Sequence, residues 1–364
     1  MTIAVILDPF DVLFCRDGRP IVPGEGAAAG ASLPFPQVLA GAIRTALLKQ
    51  RGGLVGQTAD AEKLKRIVAE VAVRGPLLYD RTSGRPLIPC PADLVACEKP
   101  KHGQSDIARF LRLAPLASDL PGWDESRPPG APHLRPLWNL EATKNSDQSV
   151  RLRAWHAQPG WLTWSGFEAW VRGGAPTSAD HRMADKLFQS ETRTQVALDA
   201  GTATADPGKL FSTRYLRLCK NIALYAELDG ADELVPPGQS IALSLGGDRR
   251  LCQVERTDEP VPWPQRPSGP TTLLALTPTI LDEPGASWPA ILKDRLAGCA
   301  IPGTEAVSGW DLVKNRPKPT RFACRAGSVW HLTSTAANLP SRLGQESDLG
   351  FGWIAYGAWL PPQT

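Results

Sequence analysis

Glu191 to Leu218 reads ETRTQVALDAGTATADPGKLFSTRYLRL, two β-type runs on either side of a turn, and this stretch sets the fold as a strand-rich one. Asp206, Pro207 and Gly208 supply turn chemistry, which places the predicted bend there. The arm beyond it carries Lys209, Arg214 and Arg217 around Phe211 and Tyr215 and no acid. Cations interleaved with aromatics suit single-stranded nucleic acid, because phosphates meet charge while bases meet rings. The same pattern also fits an edge hairpin kept soluble by its charge.

Working outward, β-type runs follow at Ile222–Leu228, Ile241–Leu245, Leu251–Val254 and Thr271–Leu276, and an apolar run at Ile3–Leu7 precedes. Helical spacing holds in two places. Val38, Leu39, Ala42, Ile43, Ala46 and Leu47 predict a helix that stops near Gly52, with Arg44 on its polar flank. Leu64, Ile67, Val68 and Val71 predict a second from about Ala61, opposite Lys63, Lys65 and Arg66. A third, short helix is expected from an S-x-x-E box at Ser165 to Glu168, ending at Gly173 and Gly174. From Gly75 to Pro136 proline is frequent and periodicity weak, so this stretch reads as an irregular insertion and a surface for docking another subunit. Trp155, Trp161, Trp164 and Trp170 read as core residues.

At 364 residues the chain has room for two medium domains, and 35 prolines with 33 glycines imply many turns. A net charge of +3 is too small to mark a nucleic-acid binder globally, so anion binding must come from local segregation of Lys and Arg. The seven cysteines are scattered without a C-x-x-C pair, which fits a reducing cytoplasm. Asp8 and Asp11 break the first apolar run, which therefore reads as a folded strand, not an export signal, and no run reaches membrane-spanning length.

Catalytic motifs are not apparent. The five histidines show no i, i+4 pair, so neither a metal site nor a cofactor is expected. GEGAAAG at Gly24–Gly30 lacks the spacing of a dinucleotide loop. The one enzymatic alternative is metal-free RNA cleavage with His181 as general base near Arg182 and Lys186. Two further basic segments extend the binding reading: Asp248, Arg249 and Arg250 after Gly246 and Gly247, and KNRPKPTRFACR from Lys314 to Arg325, with five cations and no acid. The second also reads as a flexible solvated linker.

The order of these segments resembles the RAMP-type crRNA 5′-tag-binding subunit of type III-B CRISPR effector complexes, the third protein of the Cmr module. FCRDGRP at Phe14–Pro20 is similar to its aromatic entry motif, and PQVLAGAIRTALL to its first helix with Gly41 and Arg44 in the G-x-x-R positions. Pro89, Pro91, Asp93 and Leu94 match a P-x-P-x-D-L signature. LGGDRRLCQVE, AGSVWHL and GFG at Gly350–Gly352 match later motifs, while Cys15, Cys324 and Arg325 depart from them. The resemblance implies an α+β fold of two ferredoxin-like, RRM-related RAMP domains with long loop insertions and a β-hairpin, here 1–185 and 186–364. It further implies a non-catalytic role holding the crRNA 5′ tag, with a large polymerase-like subunit and a backbone RAMP subunit as partners. A protein-only scaffold is the other alternative. For RNA contact it points to Arg44, Arg193, Lys209, Arg214, Tyr215, Arg249, Arg250, Gly350 and Gly352, with Phe211 beside Tyr215.

Overall fold

The computed structural model of the chain describes residues 2–15, 32–53, 58–101, 104–116, 134–138, 151–152, 159–199, 201–202, 204–257, 261–283, 285–311, 316–334 and 338–359. The Gly24–Gly30 segment, most of the Phe14–Pro20 motif, Trp155 and Lys314 lie outside the described residues. In chain order the main elements are β1 (Thr2–Pro9), α1 (Pro36–Gln50), α2 (Thr58–Glu70), β2 (Ala72–Asp80), β3 (Arg85–Pro89), β4 (Leu94–Lys101), β5 (Gln104–Arg112), β6 (Trp161–Leu162), α3 (Trp164–Val171) and β7 (His181–Arg182). Then come β8 (Phe188–Leu198), β9 (Ala205–Leu218), β10 (Ile222–Asp229), β11 (Ser240–Ser244), β12 (Leu251–Thr257), β13 (Thr271–Ala275) and β14 (Thr279–Ile280). The last are β15 (Leu296–Ala300), β16 (Thr304–Val307), β17 (Arg321–Cys324), β18 (Val329–Leu332) and β19 (Ile354–Ala358).

An antiparallel sheet of order β7-β6-β3-β2-β10-β1-β12-β11 forms the centre. Both β1 and β2 pair antiparallel with β10, so they run the same way and are joined through α1 and α2 as a split β-α-β unit. Alternation in β1 sends Ile3, Val5 and Leu7 to the α1 side, where Leu39, Ile43 and Leu47 are fully buried. Ile6 belongs to the opposite face with Leu77, Tyr79 and Tyr225, and there α3 (Phe167, Trp170) and a second sheet of order β15-β18-β13-β19 cover it. A small sheet, β14-β17-β16, completes the layer.

Two expectations of local structure are corrected, for the insertion and for the cap of α3. The predicted irregular insertion instead begins with β2 and β3, which sit inside the central sheet. Proline hid them: Gly75 and Pro76 lie where the β2–β10 register shifts between Tyr225 and Glu227, a bulge at which a missing N–H does no harm. Strands β10, β11 and β12 join β1 in the central sheet, which therefore takes strands from both sides of position 185. Among the described residues every α-helix precedes Arg172. The fold is mixed α and β, mostly antiparallel, with few helices. The cap of α3 is Thr163, whose hydroxyl accepts from Gly166 N–H at 3.3 Å, while Ser165 donates to Asp180 at 2.6 Å. Threonine directly before the helix reaches its free N–H groups, and the serine two residues on does not.

Asp93 of the P-x-P-x-D-L segment is the centre of a buried polar network. Its carboxylate accepts from Arg112 Nε at 2.9 Å and from Trp170 Nε1 at 2.9 Å. The Arg112 guanidinium also donates to Trp170 O (2.5 Å) and Thr272 Oγ1 (3.2 Å) and lies 4.5 Å from the Trp170 ring centre. Thr272 Oγ1 is 3.1 Å from His331 Nδ1. One carboxylate thus ties the β4–β5 hairpin, α3 and the second sheet together.

His331 is fully buried, and burial with the nearby Arg112 charge holds its pKa well below the usual 6.5. The unfolded chain takes up a proton near pH 6.5 that the folded chain refuses, so stability present above that pH is lost as pH falls. The loss should be about 1.4 kcal/mol per pH unit between roughly pH 6.5 and 5. Urea unfolding across that window checks it: His331→Gln should flatten the slope by one proton, and an equal slope in both proteins would dismiss this site as the cause.

Candidate nucleic-acid interface

The hairpin β8–β9 pairs from Phe188↔Leu218 to Val196↔Leu210, then shifts to Leu198↔Ala205. Its turn therefore lies at 199–204, not at Asp206–Gly208. Asp199 makes it: the carboxylate accepts from the Gly201 and Thr202 N–H groups at 2.9 Å each, an Asx turn that closes before the Asp-Pro-Gly cluster is reached. Residues Asp206 to Lys209 become extra length in β9, with Lys209 Nζ paired to Asp206 at 2.6 Å.

Cross-strand register divides the side chains between two faces. Glu191, Arg193 and Gln195 share one with Phe211, Thr213, Tyr215 and Arg217, whereas Arg214 pairs with Thr192 on the other. The segment Val12–Cys15 runs along the edge of β9 as a strap. Leu13 exchanges backbone hydrogen bonds with Leu216 (2.8 and 2.9 Å), and Phe14 O accepts from Gly247 N–H at 2.8 Å. The strap thereby fixes the Gly246–Arg250 turn beside the hairpin.

Tyr215 is the buried hub of that junction. Its hydroxyl donates to Asp248 and accepts from Gln195 Nε2, the Phe14 ring centre is 5.1 Å away, and the Arg193 and Arg250 guanidiniums lie 5.0 and 4.8 Å from its ring. Burial and Asp248 push its pKa up. Asp11 accepts from Arg217 at 2.8 Å and Arg193 at 3.1 Å, with Arg250 at 3.7 Å. Glu191 holds Arg193 and Arg217 at 2.7 Å each. Hydrogen bonds from Arg217 and Arg193 hold both carboxyl groups below the usual range.

Of the predicted residues, then, Arg193, Tyr215 and Arg250 meet, and Arg217 joins them. Arg249 is next to them, exposed, at φ +50°, with no ion pair to a described residue. Arg214 is exposed on the other face, and Lys209 lies farther along the hairpin. Tyr215, being fully buried, cannot receive a base. An exposed aromatic at this corner is Phe10, 63% exposed and hydrogen-bonded through its backbone to Leu251, which follows the same turn. An aromatic just after the Asp8-Pro9 break was the available signal.

The remaining predictions move elsewhere. Arg44 does not project from α1: it is buried, donating to Asp348 at 2.9 Å and to Val71 O at 3.0 Å, because α2 and the 347–349 turn cover its flank. Gly350 and Gly352 are buried too. A Cβ on Gly350 would stand 2.7 Å from Gly75 O, and one on Gly352 would meet Leu343 O, so this chain's own backbone fills the space expected for RNA. His181 is buried, its Nε2 is 2.8 Å from Pro159 O, and burial lowers its pKa. Among the described residues no three His, Cys, Asp or Glu side chains are grouped to hold a metal ion.

The family of CRISPR-associated proteins described as Cas_Cmr3 matches residues 5–359. The chain belongs to that family. Cas_Cmr3 membership agrees with the resemblance read from the ordered motifs. No curated protein matches the sequence. Among solved structures, a chain of the type III-B Cmr-beta complex bound to cognate target RNA and AMPPnP is 16% identical, with 90% of this chain and 86% of that one covered and a TM-score of 0.50. A chain of the Csm3-Csm4 subcomplex of the type III-A interference complex is 14% identical, covering 92% and 94%, with a TM-score of 0.40. At such identities the Cmr-beta likeness speaks for the Cas_Cmr3 fold alone.

Proposed function

We propose that this protein is a non-catalytic subunit of a type III-B CRISPR effector complex that grips the 5′ tag of the crRNA and links a large polymerase-like subunit to a backbone RAMP subunit in the cytoplasm. The split β-α-β unit supports an RRM-related RAMP reading of the first half. The observation that carries the RNA reading is the junction at Tyr215, where Arg193 and Arg250 are held on a rigid ring, Arg217 joins them through Asp11 and Glu191, and the exposed Arg249 is next in the chain. Guanidinium forks fixed by packing are pre-organised for phosphate oxygens. Phe10 replaces Tyr215 as the ring for a splayed base. The nuclease alternative loses support, since His181 hydrogen-bonds a carbonyl and Lys186 pairs with Asp185 at 3.7 Å.

Binding of the full chain to a fluorescent tag RNA across a salt series tests this. Each phosphate contact to a single strand contributes about 0.7 to the slope of log affinity against log salt. Arg193→Ala with Arg250→Ala should reduce the slope by about 1.4, and Arg249→Ala by about 0.7. Slopes equal to that of the unaltered chain would reject the surface.

A further inference from the structure

We infer a second single-stranded RNA contact, formed in the carboxy-terminal half by Arg316, Lys318, Arg321 and Phe322. The inference rests on the RNA-binding reading above but concerns different residues on a different sheet.

From Arg316 to Arg325 the chain reads RPKPTRFACR, four cations and no acid. Here the linker reading fails, because the segment is fixed. Lys318 N–H donates to Gly309 O at 2.7 Å, Ser308 Oγ donates to Lys318 O at 3.2 Å, and Gln37 of α1 in turn donates to Ser308 O. Arg316 and Pro317 bridge Asp311 and Trp310 as a short ladder. The segment then enters β17, the middle strand of β14-β17-β16, whose Ala323 and Cys324 are buried.

The side chains left outside are the informative ones. Phe322 is 66% exposed, and its cross-strand neighbour is the small, exposed Ala306, so one side of the ring's surroundings is open. Arg316 is exposed, opposite Asp311 in the ladder, and Lys318 is half-buried, and neither forms an ion pair with a residue whose side chain is described. Arg321 is anchored by Glu346 at 3.0 Å and Gln345 at 3.2 Å. An open ring beside surface cations matches a base and its neighbouring phosphates. A protein partner would call for a wider apolar centre around the aromatic, and the prolines and threonine flanking these cations do not provide one.

The test uses the full chain, a mixed-sequence single-stranded RNA with 4-thiouridine and a fluorophore, and three variants: Arg316→Ala with Lys318→Ala, Phe322→Ala, and Arg193→Ala with Arg250→Ala as the hairpin comparison. All sites are at the surface, and circular dichroism verifies folding. The cation pair variant should flatten the salt slope by about 1.4. Phe322→Ala should weaken binding at least about five-fold with the slope unchanged. Crosslinks should map to residues 316–325 and persist in the hairpin variant. Loss of binding in the hairpin variant alone, with no crosslink here, overturns this site and leaves the hairpin reading standing. Loss here alone does the reverse. Poly-glutamate binding that depends on these residues while RNA binding does not would overturn it in favour of an acidic protein.

Discussion

Replacing Asp93 with alanine is expected to destabilise the protein by about 3–5 kcal/mol, because it leaves the Arg112 guanidinium buried without its counter-charge. Arg112 is 8% and Asp93 0% exposed, so water cannot substitute for the lost carboxylate. The Trp170 N–H loses its acceptor at the same time, and three layers lose their common tie. Urea unfolding measures the loss. A double variant, Asp93→Leu with Arg112→Met, should recover most of it, since an apolar pair of similar volume removes the charge and its partner together. A single variant that loses under about 1 kcal/mol would show that the network is not what holds these layers.

Gly352→Ala is expected to cost at least about 3 kcal/mol, from left-handed backbone strain and from forced displacement of neighbouring backbone. Gly352 has φ +65°, and an added methyl would run into the Leu343 carbonyl, while the two loops are held together by Leu343 N–H donating to Gly352 O and Gly352 N–H donating to Pro278 O, each at 2.8 Å. Gly238 is the control: it has φ +72° but nothing within 4 Å, so Gly238→Ala should lose only the strain, about 1–2 kcal/mol. If Gly352→Ala matched that control in thermal unfolding yet bound RNA less well, the glycine would belong to the ligand site after all.

What could be read beforehand follows physical lines. Helix α1 was legible because its apolar residues recur at 3.6 spacing and Gly52 stops it, whereas β2 and β3 were hidden by prolines that only pairing could excuse. The hairpin was legible from composition, but its turn was assigned to Asp206-Pro207-Gly208 because the competing Asx bonds of Asp199 leave so faint a trace in sequence. Arg193 and Arg250 were found as cations. Their meeting on Tyr215 was not, since it depends on the Val12–Cys15 strap, whose role is visible only through Leu13 and Phe14 hydrogen bonds. Arg44 and Asp93 show the converse limit: motif residues carry no mark that separates a ligand contact from a keystone of the interior.

The carboxylates of Asp11 and Glu191 impose a threshold on whatever approaches the strapped hairpin. Arg193 and Arg217 are already paired with them, so an incoming anion must exchange partners at these two rather than find a vacant one, and a solitary phosphate gains little by it. Only a strand presenting successive phosphates in register can displace both acids together. On the proposed RNA-binding reading, discrimination against single phosphates is thus built from negative charge placed among the positive.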